Sequence, residues 1–327
     1  MRRVLLAVLG LLVLLIAAGW WSGRQRPLDW KAEAERRLGL PLESSFALAN
    51  GVRLHVVQAG PTGGPPVLLL HGFPEFWWGY ARVMKPLADA GFRVIVPDQR
   101  GYFLSEKPAD VDAYRVELLT GDAAALVSAL GHKSVYLVGH DWGGAIAWNL
   151  AITHPELVRR IVMFNSPHPL AFRDAEKEKP KQETVTFFRT LFQIPALPEL
   201  AVRAADWAWI SKVLRDTSRP GTFTDDELVF YRYAWAEPGA MSAMIDWYRA
   251  GFRHPFEADK AGDATVKLPV LLVWGEGDVF FERRLADLTL KHLTDGRLTP
   301  VPGATHWILH EEPELASTAM IDFFRGE

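Results

Sequence analysis

The chain contains no cysteine among its 327 residues. This absence excludes a cysteine nucleophile, a thiolate metal site and any disulfide. The chain also lacks a strong excess of either charge, because 36 basic residues nearly balance 39 acidic ones. The basic residues are scattered rather than clustered, so we do not expect a nucleic-acid partner. The sequence has no cluster of metal-ligand residues and no glycine-rich phosphate loop, so we expect neither a metal nor a cofactor.

Apolar residues are abundant by contrast, at 49% of the chain with 13 Trp and 18 Phe. Part of this content lies in an uncharged run over residues 4–21, which has basic residues on both sides. A helix of this length spans roughly 27 Å, close to the hydrocarbon thickness of a bilayer. Trp20 and Trp21 lie where aromatic residues mark a membrane interface. We therefore predict a single-pass membrane protein anchored by residues 1–23, with a cleaved signal peptide as the alternative.

Residues 24–44 are predicted to form a linker with a short charged helix at about Trp30–Leu38, acting as a spacer between membrane and domain. From residue 45 onward, short apolar strands alternate with helical stretches, first over 45–166 and again over 264–327. This alternation predicts an α/β domain with a mostly parallel sheet that is covered by helices on both faces. The interval 167–263 is aromatic and helical in character, and we expect it to form a cap over the C-terminal edge of the sheet.

One motif at the end of a predicted strand indicates a catalytic nucleophile. Residues 139–144 read GHDWGG and lie between a predicted strand and a predicted helix. This is the setting of a nucleophile elbow, in which Asp141 occupies the position of the usual serine. The flanking glycines allow the tight turn, and the start of the helix favours a negative charge. An ordinary helix-capping aspartate would give the same local pattern, so the motif needs partners elsewhere.

The partners follow in the chain order of an α/β hydrolase, which is nucleophile, acid and histidine. Asp278 lies in the loop after the strand at 270–274, and His306 lies in the loop after the next strand. Both loops belong to the edge of the sheet that carries Asp141. We therefore predict a triad of Asp141, Asp278 and His306, and regard the neighbouring Glu276 and His310 as structural.

An aspartate nucleophile restricts the substrate. Attack by a carboxylate on a saturated carbon forms an alkyl ester, and a water activated by His306 can cleave that ester. A serine at this position would form an ether, which the same groups could not hydrolyse. The sequence thus favours epoxides or alkyl halides over ordinary esters and amides. Backbone N–H groups of Phe73 and Trp142 are expected to form the oxyanion hole for ester hydrolysis.

From about residue 45 onward, the sequence resembles the epoxide hydrolase branch of the α/β-hydrolase superfamily, particularly its membrane-anchored members. The resemblance rests on HGFPEFW at 71–77, DQRGY at 98–102, GHDWGG at 139–144, NSPHP at 165–169, FQIP at 192–195 and WYR at 247–249, together with the loops of Asp278 and His306. It implies an α/β-hydrolase fold and an epoxide substrate. The aromatic cap suggests a hydrophobic epoxide, with lipid-derived epoxides as one candidate class.

The resemblance also implies two cap tyrosines that protonate the epoxide oxygen. Tyr248 matches one of them, whereas Phe188 stands at the position of the other and cannot donate a proton. Tyr231, Tyr233 or His168 could substitute for it. The substrate pocket is expected to include Phe188, Trp77 and His168.

Two other functions remain open from the sequence. A haloalkane dehalogenase would use the same Asp141 and bind the halide through the Trp142 indole and a second donor from a cap tryptophan such as Trp207, Trp209 or Trp235. A catalytically silent, membrane-anchored binding protein is the alternative outside enzymes. The missing cap tyrosine favours it and the complete triad opposes it.

Overall fold

An eight-stranded sheet forms the centre of the computed structural model, which describes residues 28–178, 190–254 and 264–326. Its spatial order is β1-β2-β4-β3-β5-β6-β7-β8. The strands are β1 (Glu43–Ala49), β2 (Val52–Ala59), β3 (Pro66–Leu70), β4 (Arg93–Pro97), β5 (Val135–His140), β6 (Val158–Phe164), β7 (Val266–Gly275) and β8 (Leu293–Val301). Strand β2 pairs antiparallel with β1 and β4, and the other pairs are parallel. The predicted α/β-hydrolase architecture with a mostly parallel sheet is confirmed.

Helices cover the sheet, and their apolar sides bury the central strands. The helices are α1 (Trp30–Leu38), α2 (Ala81–Asp89), α3 (Val116–Ala129), α4 (Asp141–Thr153), α5 (Pro169–Glu178), α6 (Leu197–Asp216), α7 (Asp225–Trp235), α8 (Ala240–Arg253), α9 (Arg284–Leu290), α10 (Ile308–Glu311) and α11 (Pro313–Arg325). Short 3-10 turns lie at Trp77–Tyr80, Val111–Tyr114 and Pro155–Leu157. Strands β3 and β4 are buried along their whole length, which explains why every residue in them except Arg93 is apolar.

The last strand of the sheet carries polar residues. It begins at Leu293, shortly after α9 ends at Leu290. The polar residues Asp295 and Gly296 pair with β7 and are exposed to solvent. Because β8 lies at the edge of the sheet, it tolerates polar residues that a central strand would exclude.

The interval predicted as the cap, residues 167–263, contains helices in two different positions. Helix α5 packs against α9 of the core through Ala171, Ala175 and Leu285, so this first helix of the interval belongs with the core layers. Helices α6, α7 and α8 contact one another and form the described part of the cap. The backbone of α6 is interrupted at Ala204–Trp207 by non-helical residues.

The helix in the predicted linker forms where expected, at Trp30–Leu38, with Asp29 as its N-cap. It is not a free spacer. The Trp30 ring contacts His55, Trp77 and Phe103 of the core at 5.4 to 5.6 Å between ring centroids. The segment is therefore docked on the domain because its tryptophan packs into a core aromatic cluster.

Arg37, at the other end of α1, reaches the cap. Its guanidinium makes two hydrogen bonds of 2.8 Å to the carboxylate of Asp226 in α7 and lies over the Phe230 ring. Helix α1 thus touches both the core and the cap.

No helix in the described ranges, which start at residue 28, has the length and apolar character needed to cross a bilayer. The predicted anchor over residues 1–23 lies outside the described residues and stays a prediction.

Candidate active site

Asp141 occupies a strained turn between β5 and α4. Its φ is 50°, in the left-handed region that a non-glycine residue rarely adopts. Close backbone packing holds this turn, since a Cβ on Gly143 would lie 2.0 Å from the Leu70 carbonyl oxygen. A Cβ on Gly72 would lie 2.3 Å from the Cβ of Asp141. The glycines therefore let the loop after β3 approach the aspartate closely.

The two carboxylate oxygens of Asp141 have different neighbours. The Phe73 backbone N–H donates to Oδ1 at 2.9 Å, as expected of one oxyanion-hole donor. Oδ2 lies 3.7 Å from Nε2 of His306. The Asp141 side chain is 12% exposed, whereas that of His306 is 2% exposed, so the carboxylate is the more accessible of the two. Trp142 follows in the first turn of α4, where N–H groups lack intrahelical acceptors.

Asp278 orients His306. Nδ1 of His306 lies 2.8 Å from Oδ2 of Asp278, and a carboxylate only accepts, so Nδ1 carries the hydrogen. Nε2 is then the basic nitrogen on the side of Asp141. The other oxygen of Asp278 accepts the backbone N–H groups of Phe280 and Phe281 at 2.7 and 3.0 Å. Asp278 is thereby fixed as an orienting carboxylate.

The charges around His306 change its pKa. Burial lowers the pKa, but the negative charges of Asp278, Asp141 and Glu75 outweigh that effect and leave it above its ordinary value of 6.5. The ring is also enclosed by aromatic side chains, with Phe280 at 4.9 Å and Trp307 at 5.0 Å. The structure therefore brings the three residues of the predicted triad together in a nearly dry setting.

A buried polar network lies behind His306. His140 Nε2 donates to the His306 carbonyl at 2.9 Å, and its Nδ1 lies 3.2 Å from Oε2 of Glu75. His310 Nε2 and the Tyr231 hydroxyl contact the other Glu75 oxygen at 2.6 and 2.8 Å. Burial raises the pKa of Glu75, but His310 and His140 outweigh it and hold this pKa well below its ordinary value. A buried carboxylate thus supports the segment that carries His306.

The cap places an aromatic group opposite Asp141. The Tyr248 ring lies edge-on to Phe73, Phe192 and Trp142, with centroids 5.0 to 5.2 Å apart. The Trp142 indole hydrogen-bonds the Tyr248 side chain, and indole only donates, so the phenol keeps its own hydrogen for another acceptor. Burial and the nearby Asp141 charge hold the pKa of Tyr248 well above 10, so the phenol is protonated at neutral pH.

Comparison with known proteins identifies the scaffold. The family described as alpha/beta hydrolase fold matches residues 65–313. The chain belongs to the α/β hydrolase family. It is a hydrolase with epoxide hydrolases among its relatives. It is 40% identical to the AB hydrolase superfamily protein YfhM of Bacillus subtilis, over 88% of this chain and 99% of that protein.

This α/β hydrolase is also 34% identical to mouse Epoxide hydrolase 4, over 85% of this chain and 78% of that protein. Among solved structures, it resembles a mutant of an epoxide hydrolase from Bacillus megaterium complexed with its product, (R)-3-[1]naphthyloxy-propane-1,2-diol. The TM-score is 0.77 at 26% identity, covering 86% of this chain and all of that one.

Two residues expected in the substrate pocket of this hydrolase have core surroundings instead. Trp77 is fully buried and packs against Trp30 and Trp78. His168 is fully buried and stacks on His292. Both of its ring nitrogens face backbone groups, and burial together with His292 lowers its pKa to about 3. These contacts favour structural roles for both residues. Phe188 lies outside the described residues.

The suggested substitutes for a second cap tyrosine are also engaged elsewhere. Tyr231 is fully buried and its hydroxyl donates to Glu75. Tyr233 packs against Phe103, whose ring also contacts Trp30 of α1. Asn165, Glu75 and His140 are not predicted as functional residues from the sequence, although each lies in a quoted motif next to a strand end.

Proposed function

We propose that this hydrolase converts epoxides to vicinal diols through a covalent ester on Asp141. The observation that carries the proposal is that the two oxygens of the Asp141 carboxylate have different neighbours. Oδ1 accepts a backbone N–H, and Oδ2 lies beside His306. This arrangement provides a nucleophile, an oxyanion donor and a general base around one carboxylate. The epoxide hydrolases among its relatives support the same reaction.

In the first step, Oδ2 of Asp141 attacks one carbon of the epoxide ring. A carbon–oxygen ester bond forms and the ring carbon–oxygen bond breaks, which leaves the electron pair on the ring oxygen. Tyr248 faces Asp141 from the cap and gives its proton to this oxygen. The phenol needs this acceptor, because a phenol with a raised pKa gives up its proton only to a strongly basic oxygen.

In the second step, His306 removes a proton from a water molecule, which attacks the Asp141 carbonyl carbon. Negative charge then develops on Oδ1, which already accepts the Phe73 N–H, and we assign the Trp142 N–H as the second donor. Asp278 stabilises the resulting imidazolium through the 2.8 Å contact. Collapse of the intermediate breaks the bond between the Asp141 carbonyl carbon and Oδ2, and the departing diol oxygen takes the remaining proton of the attacking water, which leaves Asp141 as a carboxylate. The proton held by His306 returns to Tyr248.

The surroundings of Asp141 favour a hydrophobic epoxide. Phe73, Phe192, Trp142 and Tyr248 form an aromatic cluster between core and cap. An aryl or alkyl group gains from burial against such rings, at roughly 25 cal/mol per Å² of apolar surface. The product bound by the Bacillus megaterium relative, a naphthyloxy diol, carries an aryl group of this kind. We propose aryl glycidyl ethers and long-chain terminal epoxides as substrates.

Two contacts weaken the dehalogenase alternative. The Trp142 indole that would hold a leaving halide already hydrogen-bonds Tyr248. The Trp235 indole donates to the Pro74 carbonyl at 2.7 Å and is likewise engaged. Halide binding would therefore have to break an existing contact in either case.

Intact-mass analysis of a His306→Gln variant tests the proposal. This variant retains the nucleophile but lacks the base for ester cleavage, so it should gain the mass of one naphthyl glycidyl ether and keep it. A His306→Gln/Asp141→Asn double variant is the matched control and should gain no mass. Absence of the adduct with every epoxide, or halide release from 1-haloalkanes in its place, would reject epoxide hydrolysis.

We further propose that residues 1–23 anchor the enzyme in a membrane. The support is the uncharged run over residues 4–21 between basic flanks. The full chain should then remain with membranes after alkaline washing, whereas a chain starting at residue 28 should be released. Release of the full chain would reject the anchor.

A further inference from the structure

Tyr102 carries a buried hydroxyl without a hydrogen-bond partner among the described residues. The side chain lies in the loop after β4 and is 1% exposed. The other fully buried tyrosines that the structure describes are bonded. The hydroxyls of Tyr80, Tyr114 and Tyr231 donate to Leu70, Pro108 and Glu75 at 2.7 to 2.9 Å. Because a buried unpaired hydroxyl destabilises the folded state, the exception at Tyr102 calls for a functional explanation.

The ring of Tyr102 lies between the two halves of the active site. It meets His71 edge-on at 4.6 Å, and His71 begins the loop that supplies the Phe73 N–H. It meets Trp247 edge-on at 5.4 Å, and Trp247 directly precedes Tyr248 in α8. The ring therefore lies between the loop that supplies the Phe73 N–H and helix α8, which carries the proposed acid Tyr248.

The Tyr102 hydroxyl stays protonated in this position. Burial raises its pKa, and the neighbouring Tyr248 and the Asp141 carboxylate raise it further, well above its ordinary value of 10. The group is thus a neutral phenol at any working pH. It can donate a hydrogen bond but gives up its proton less readily than a free phenol.

We propose that Tyr102 is a second hydroxyl donor to the substrate oxygen, acting beside Tyr248 from the core side of the cleft. The inference rests on the proposed epoxide hydrolysis and names a group for the same site. During ring opening, the ring oxygen receives the electron pair of the broken carbon–oxygen bond and the proton of Tyr248. Tyr102 keeps its proton and stabilises the developing negative charge through a hydrogen bond.

This role explains why the hydroxyl has no partner among the residues that the structure describes. A donor that is already bonded would have to exchange one hydrogen bond for another when the substrate arrives. An unpaired donor gains a full interaction at that moment, so its stabilising effect appears on binding and in the transition state rather than in the free enzyme. Loss of the hydroxyl should therefore slow ring opening without loss of stability.

A Tyr102→Phe variant tests this inference through single-turnover kinetics and thermal unfolding. With a naphthyl glycidyl ether, the rate of ester formation on Asp141 should fall about tenfold or more, whereas ester hydrolysis should keep its rate. The melting temperature should stay equal or rise, because the variant removes an unpaired polar group. Tyr114→Phe is the matched control. It loses a bonded hydroxyl, so its melting temperature should fall while ester formation keeps the wild-type rate.

The outcomes separate this inference from the proposed function. If the wild-type protein and His306→Gln form no ester with epoxides, both proposals are overturned. If the wild type forms the ester and Tyr102→Phe forms it equally fast, only the role of Tyr102 is overturned. A lower melting temperature for Tyr102→Phe would also overturn it, since the hydroxyl would then have a partner in the free protein.

Discussion

The side-chain amide of Asn165 donates to Oδ2 of Asp278 at 2.7 Å, the same oxygen that accepts the His306 ring N–H. The side-chain amide oxygen of Asn165 accepts the backbone N–H of Gly275 at 2.8 Å. One residue after β6 thus holds both the orienting carboxylate and the start of the loop that carries it. With the two backbone donors on Oδ1, Asp278 has all of its neighbours fixed before a substrate binds.

Replacing Asn165 by Gly should slow ester hydrolysis by about tenfold, since a hydrogen bond to a charged group contributes about 1.5 kcal/mol or more. Glycine accepts the φ of 40° that Asn165 adopts, so the backbone can stay in place. Ester formation does not use Asp278 and should be affected less. Pre-steady-state kinetics would measure the two steps separately. Equal slowing of both steps would contradict the orienting role.

The pH dependence of ester hydrolysis should show the raised pKa of His306. The base must be neutral to activate water, and the Asp278 carboxylate, which stays charged while Asp141 is esterified, favours the protonated form. The protonated form therefore persists to higher pH than for a free imidazole. The rate of ester breakdown should rise with pH through an apparent pKa above 6.5 and then level off. Single-turnover rates from about pH 5 to about pH 9 would measure it, and a midpoint at or below the ordinary value of 6.5 would contradict this prediction.

Gly143→Ala should destabilise the protein strongly, by about 3 kcal/mol or more. The new methyl group would lie 2.0 Å from the Leu70 carbonyl oxygen, a backbone atom that cannot rotate out of the way. Gly63→Ala is the control, because a Cβ there meets nothing within 4 Å and its φ is not in the left-handed region. Urea unfolding would compare the two variants. Similar midpoints would mean that the turn at Asp141 can relax.

Trp30→Ala should destabilise the domain by about 2 kcal/mol or more, because it removes an aromatic contact with three core rings. Arg37→Ala should cost about 1 kcal/mol or less, since its partner Asp226 is 77% exposed and water screens the pair. Thermal unfolding of both variants measures the difference. If Trp30→Ala left the stability unchanged, α1 would be a spacer after all.

The meeting of the three triad positions at one edge of the sheet is predictable from the sequence for a physical reason. Parallel strands end at the same edge of a sheet, so Asp141, Asp278 and His306 meet there although they are far apart in the chain. Pairings between distant side chains leave no such periodic signal. Glu75 and His310 are separated by 235 positions, and neither local sequence indicates the other. The same holds for the docking of α1, since a short charged helix with one tryptophan is equally compatible with a free linker.

The unequal surroundings of Oδ1 and Oδ2 in Asp141 imply that each proposed reaction cycle replaces one carboxylate oxygen of the enzyme. The oxygen bonded to substrate carbon leaves with the diol, and the carboxylate is completed with an oxygen from solvent. The first diol made by each molecule would therefore carry an atom placed there at biosynthesis. In water enriched in the heavy oxygen isotope, the first turnover should label the protein and not the product, and the isotope should enter the diol only in later cycles.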